Sequence, residues 1–216
     1  MTHPSQQKDE LSDDIERLLD NHLRLIARRG WDAKDPEGEI FLAMRKFVKA
    51  RDYFWHRGFL LVGNPGTGKT TVLKAIQKYL VRGVDSRGRN DGNELFDNFW
   101  YINARDMVYP YADIRKFEAA AEITTLVIDD IGMERGIGGN LTLAQSLIGE
   151  LIKRRYDTGR LTILGSIFDA ENLGEVYGNN IFDIIREDYA VAELNYNFRR
   201  DIIRANQEIN WNETQQ

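Results

Sequence analysis

Residues 58–71 read GFLLVGNPGTGKTT, and no other stretch of the chain restricts its fold so strongly. Gly63, Gly68, Lys69 and Thr70 stand at the fixed places of the pattern G-x-x-x-x-G-K-[ST]. A short apolar run precedes them, and the segment that follows, KTTVLKAIQKYLV, sets Val72, Leu73, Ile76, Tyr79 and Leu80 on one helical face. A strand turning tightly into a helix points successive backbone N–H groups inward, and glycines permit the dihedral angles that such a nest needs. Asn64, Pro65, Gly66 and Thr67 complete the loop, and Thr71 follows inside the helix. The unpaired N–H groups and positive dipole end of that helix favour an anion. Lys69 is expected to reach the β- and γ-phosphates of a nucleotide, and the Thr70 hydroxyl to take a place on Mg²⁺.

TTLVIDDIG, residues 124–132, supplies a second half to such a site. A buried parallel strand delivers the residues at its carboxyl end to the ligand-binding edge of an α/β sheet. Asp129 is expected to hold the water shell of the metal and Asp130 to polarise an attacking water. Around these segments helices and strands alternate: a helix over 40–53, a second strand over 98–108, and a helix in IRKFEAAAE. A long helix starts from an N-cap at Asn140, with Leu143, Leu147, Ile148, Leu151, Ile152 and Tyr156 inward, and stops at Gly159. RLTILGSIF is a fourth strand; helical segments around 170–187, a strand-like VAELN and a closing helix in NFRRDIIRANQEIN follow. This order implies an α/β fold, a parallel sheet flanked by helices with right-handed crossovers.

At 216 residues and 42% hydrophobic composition, the chain can bury one sizeable core with a small appendage. The expected division is an N-terminal helical extension and linker over 1–39, a core over 40–200 and a C-terminal helix or tail over 201–216, with little or no C-terminal lid. The extension carries an amphipathic helix at 15–29. No cysteine occurs, which excludes disulfides and thiolate chemistry. No apolar run is long enough to cross a bilayer and the N-terminus lacks a signal-peptide pattern, so a cytoplasmic protein without a membrane partner is expected. A net charge of −5 argues against a wholesale basic surface for nucleic acid. Local patches remain open in RLIARR and in the glycine-rich segment 82–94 with its three arginines, although charge there also fits a helix end and a solvated loop. His3, His22 and His56 do not cluster with acids at metal spacing, and Trp31, Trp55, Trp100 and Trp211 are scattered as core or interface residues are. Glu134, just past the acids, is a candidate supporting partner.

With the loop, the acid-ended strand and LIKRRYDTGRLTILGS in view, the chain resembles the AAA+ P-loop ATPases, and within them the branch of helicase loaders and transposition helpers of DnaC and IstB type. The resemblance covers about Ile40 to Arg200, and VYGNNIFDIIRE and LNYNFRR fall where later motifs of that family lie. It implies ATP/ADP and Mg²⁺ as ligands, a helicase, transposase or similar protein as partner, and single-stranded or duplex DNA as a weaker expectation. Two departures bear on rate. Ile167 falls where the family places a polar residue that feels the γ-phosphate, leaving Ser166 as the nearby hydroxyl and, on a shift of one residue, as the sensor itself, and Asn180 and Ile184 fall where arginines are expected. Because an arginine finger supplies about 10³ to 10⁵ in turnover, slow hydrolysis is implied. Arg186 is a candidate replacement, and Arg199 or Arg200 matches a family position that senses phosphate within its own chain. Three readings follow: an ATPase acting on a nucleoprotein target, an ATP/ADP switch with negligible turnover, and, third, a kinase of small molecules. Self-association is left open.

Overall fold

The structure, a computed structural model, describes residues 39–53, 58–81, 99–105, 114–134 and 141–196. The expected helix at 15–29, the segment 82–94, the closing helix, Asn140, Arg199, Arg200, the three histidines, Trp31, Trp55 and Trp211 lie outside them.

Helix α1 (Glu39–Tyr53) leads into strand β1 (Gly58–Gly63), and α2 (Lys69–Val81) follows the glycine-rich loop. Next come β2 (Phe99–Asn103), α3 (Ile114–Glu122), β3 (Thr125–Ile131) and α4 (Leu141–Asp157). The described chain closes with β4 (Leu161–Ser166), α5 (Ala170–Tyr177), α6 (Asn179–Asp188) and β5 (Tyr189–Leu194). All strand pairs are parallel, and the sheet order is β2-β3-β4-β1-β5.

Both faces are covered, as a parallel sheet requires. On one face Ile40, Met44 and Phe47 of α1 and Val72, Leu73 and Ile76 of α2 pack on Phe59, Leu61, Val127 and Ile163. On the other, α3, α4, α5 and α6 bury Ala120, Ile148, Leu151, Leu173 and Ile185 against Leu60, Leu126, Ile128 and Leu164. Along β3, Val127 therefore faces α1 and α2 while Leu126 and Ile128 face the opposite layer, the period-two alternation of a strand.

Two expectations need correction. The second strand is shorter than 98–108: it ends at Asn103, and residues 104–105 turn helical. Leu143 is 45% exposed, because the buried stripe of α4 runs through Ala144, Ile148, Leu151, Ile152 and Arg155. Each helical residue turns about 100°, so a stripe starting at Ala144 carries Leu143 out of the core.

Arg155 is fully buried among those apolar residues. Its Nη1 donates to the carbonyl oxygens of Ala120 at 2.7 Å and Ile123 at 2.8 Å, its Nη2 to Leu161 O at 2.6 Å, and its Nε to Thr162 Oγ1 at 2.9 Å. These acceptors are the C-terminal end of α3 and the first residues of β4, so one guanidinium joins both to α4. The helix end offers partial negative charge and orphan carbonyls. Burial lowers the guanidinium pKa to about 10, and it remains charged at neutral pH.

Candidate nucleotide site at the carboxyl ends of the strands

The glycine-rich loop folds as its composition requires. Gly66 and Gly68 have φ of 93° and 94°, a region open to glycine but strained for other residues. Thr67 is buried, and its hydroxyl donates to Asn64 O at 2.9 Å. Lys69 Nζ donates to the carbonyl oxygens of Gly63 at 2.5 Å and Asn64 at 3.1 Å, which sets the ammonium against the loop's own backbone. Thr70 and Thr71 open α2, with Thr70 exposed and Thr71 buried. Pro65 is exposed.

β4 lies between β1, which carries the loop, and β3, which carries the acids. Neighbouring strands are about 4.8 Å apart, so a side chain from β3 must pass over β4 to reach the loop helix. Asp129 does so: Thr70 Oγ1 donates to its Oδ2 at 2.8 Å. The passage is open because Gly165 occupies β4 at that point. A Cβ there would lie 2.8 Å from Asp129 Oδ1 and 2.7 Å from Leu73 Cδ1.

Asp129 accepts two further hydrogen bonds, from the Tyr101 hydroxyl to Oδ2 at 2.7 Å and from the Asp130 N–H to Oδ1 at 2.9 Å. Burial, and then the charge of Asp129, push the Tyr101 phenol well above its ordinary pKa, so it serves as a neutral donor.

Asp130 is set apart from its neighbour by a β-bulge. Ile128 pairs with Leu164 and Ile131 with Ser166, so Asp129 and Asp130 together oppose Gly165 alone. Asp130 has φ of 58°, uncommon outside glycine but most accessible to Asp and Asn. Its carboxylate turns toward β2, where Asn103 Nδ2 donates to Oδ2 at 3.1 Å and Arg105 Nε lies 3.6 Å away. The bulge also resets the alternation, so that Ile128 and Ile131 both enter the α3–α6 layer.

The chain leaves the acids through a turn in which Met133 N–H donates to Asp130 O at 3.0 Å and Gly132 takes φ of 89°. Glu134, 7% exposed, accepts the Gly132 N–H at 2.8 Å and the hydroxyl of Tyr177 from α5 on the same Oε1. Burial, then Glu134, raise the Tyr177 phenol pKa strongly. Ser166 is buried; its hydroxyl donates to Ile131 O at 2.9 Å and accepts the Phe168 N–H at 2.9 Å. Both capacities of that hydroxyl are engaged by backbone around the turn.

Lys69, Thr70 and Asp129 are thus brought together. Asp130 is adjacent but aimed at β2, and Ser166 stands at the end of β4 beneath the turn. Asn180 is exposed on α6, Ile184 is buried, and Arg186 is exposed with its guanidinium 5.8 Å from the centre of the Phe182 ring. Tyr101, Asn103, Gly165 and Tyr177 were not anticipated. Register across strands creates the roles of Tyr101, Asn103 and Gly165, and Tyr177 reaches the turn from α5, so no local sequence pattern signals them. The donors around Asp129, a hydroxyl and carboxylates, are hard oxygen ligands of the kind that suits Mg²⁺, which binds through one or two carboxylates plus substrate phosphates. Among the described residues no group of three or more His, Cys, Asp or Glu forms an all-protein cage.

Residues 59–155 match the model of the ATPase family associated with various cellular activities (AAA). The matched segment is thus similar to an AAA ATPase domain, and it holds the loop and the acid-ended strand described above. It is 41% identical over 66 residues to an AAA-ATPase of Arabidopsis thaliana, a match covering 28% of this chain and 13% of that protein. It is 37% identical over 86 residues to the ATP-dependent zinc metalloprotease FtsH of Helicobacter felis, covering 40% of this chain and 13% of that protein. The match thus spans 13% of the length of these curated relatives. Among solved structures, the DnaC helicase loader superposes with a TM-score of 0.55 at 20% identity, covering 75% of this chain and 92% of that one. DnaI gives 0.56 at 18% identity over 76% and 88%, and domain III of the Thermotoga maritima replication initiation protein DnaA gives 0.53 at 21% over 81% and 70%. The chain shares the fold of these structures. No helix among the described residues is long and apolar enough to cross a membrane.

Proposed function

We propose that the chain binds ATP with Mg²⁺ and hydrolyses it slowly, coupling the cycle to the remodelling or loading of a protein partner in DNA replication or transposition. The observation that carries the reading is the hydrogen bond from Thr70 to Asp129 across Gly165, which unites a phosphate-binding helix with an acid-ended strand. Gly63 to Gly68 with Lys69, Thr70 and Thr71 would hold the phosphates, and Thr70 and Asp129 would hold the metal, whose charge offsets that of the phosphates when bound. Asp130 would take the proton of the attacking water, its carboxylate oriented by Asn103 and Arg105. Ser166 would act by fixing the Ile131 carbonyl and so the turn after the acids. Arg199 remains the proposed phosphate sensor of the C-terminal segment. The partner class is supported by the fold shared with loader and initiator structures.

A second reading, an ATP/ADP switch with negligible turnover, is supported by the engagement of Ser166 with backbone and by Asn180 and Ile184 in places where arginines were expected. Phosphate release from Mg-ATP, measured across a protein concentration series with Lys69→Ala as the blank, separates the two. Release above the blank supports hydrolysis, and a specific rate that climbs with concentration supports subunits completing each other's sites. Nucleotide binding without release above the blank supports the switch.

A further inference from the structure

Tyr101 lies on β2, outside the two segments from which the site is built. Its register partner on β3 is Val127, and the pair Asn103 and Asp129 follows two residues on. An aromatic side chain spans the diagonal between such positions, and the Tyr101 hydroxyl accordingly reaches Asp129 Oδ2 at 2.7 Å. That oxygen already receives Thr70 Oγ1 at 2.8 Å, while Oδ1 receives the Asp130 N–H at 2.9 Å.

A carboxylate offers about four acceptor directions, so three protein donors leave one. The donors differ in what they fix. Thr70 is itself a proposed metal ligand, and the Asp130 N–H belongs to the bulge on the same strand. The terminal torsion of an aspartate is soft, and a carboxylate held by those two alone would keep rotational freedom. Tyr101 is the donor that comes from a different strand and takes no part in holding phosphate.

We infer that Tyr101 is a positioning residue for the metal: its hydroxyl sets the rotation of the Asp129 carboxylate so that the remaining acceptor direction receives a water of the hydrated Mg²⁺. The inference rests on the metal-dependent nucleotide reading above and adds a residue to it. Partners that orient a metal-holding side chain cost about 10- to 100-fold in metal affinity when removed. Tyr101→Phe deletes one oxygen and keeps the ring that packs beside the α1–α2 core layer.

The test is binding of N-methylanthraniloyl-ATP by fluorescence, with EDTA and then across a Mg²⁺ series, for the unaltered chain, Tyr101→Phe and Asp129→Asn. The expected result is equal metal-free affinity for the unaltered chain and Tyr101→Phe, with the Mg²⁺ concentration for half-saturation raised about 10-fold or more in the variant. A purely structural role would weaken both affinities together and lower the thermal midpoint without metal, which overturns the inference. An unchanged or lower Mg²⁺ half-saturation in Tyr101→Phe, with Asp129→Asn impaired, overturns it while the metal-site reading stands. If Mg²⁺ tightens binding equally in Asp129→Asn, or not at all in the unaltered chain, the metal-site reading falls and the inference with it.

Discussion

The Asp129 carboxylate lies over Gly165, and the room it uses is that of the missing side chain: a Cβ on Gly165 would come within 2.8 Å of Oδ1. Leu73 closes the same space from the other side, at 2.7 Å. Gly165→Ala must therefore move the acid, the leucine or the strand. Overpacking of this kind costs about 1 to 3 kcal/mol. The expected outcome is a lower urea midpoint together with weaker Mg²⁺-dependent nucleotide binding. A variant with both properties unchanged would show that β4 yields without disturbing Asp129.

Asp130 is proposed to act on water, and its contacts lie with β2 rather than with the loop. Asp130→Asn keeps the shape and removes the basic oxygen. Phosphate release is expected to fall by about 10² to 10⁴, the range for loss of a general base, with nucleotide affinity retained. Unaltered release would move the role to another group.

Arg155 lies far from this chemistry in role, yet it bridges three elements. Replacement by Met leaves the carbonyls of Ala120, Ile123 and Leu161 and the Thr162 hydroxyl without their donor. Each unsatisfied buried group costs about 1 to 3 kcal/mol. A loss of about 3 kcal/mol or more in urea unfolding is expected for Arg155→Met, and Arg155→Lys would restore little, since an ammonium lacks the planar fork. A midpoint within error of the parent would contradict this.

Alkaline pH should destabilise the fold. Tyr101, Tyr177 and Tyr189 all have phenol pKa values raised above the ordinary 10.0, each chiefly by burial. Above pH about 10 the unfolded chain releases those protons and the folded chain keeps them, so stability falls as pH rises. Below that pH their contribution is fully present. Arg155, with its pKa lowered to about 10, works in the opposite sense from there up to the ordinary guanidinium value, one group against three. Urea midpoints are expected to decline above pH 10, and Tyr189→Phe to show a shallower decline. A flat profile would remove the tyrosines from the balance.

What was legible in the sequence was whatever a local pattern carries. The apolar run before Gly63, the helical stripe of Val72, Leu73 and Ile76, and the acids closing a β-branched run each report their own element, and the parallel sheet follows from their order. The meeting of Thr70 with Asp129 was foreshadowed in the same way. What could not be read depends on register and on which strand lies between two others. Nothing near Tyr101 announces that it sits diagonally from Asp129, nor near Gly165 that an acid crosses it. In LIKRRYD the two arginines are alike as letters, yet Arg154 pairs with Glu118 at the partly exposed edge while Arg155 is fully buried. Leu143 was misplaced because apolar residues at both 143 and 144 fit a helical stripe, and a turn of about 100° separates them.

The bulge in β3 makes Asp130 a supernumerary residue. Without it, Ile128, Asp129 and Ile131 would alternate across the sheet with no interruption, each on the side where it already lies. The residue proposed for cleavage is thus an insertion into a strand that is complete without it, while the residue that meets Thr70 belongs to the regular ladder. On the proposed reading, holding a nucleotide and consuming it rest on separable features of one strand, so loss of a single codon would turn a hydrolase into a timer and leave the frame standing.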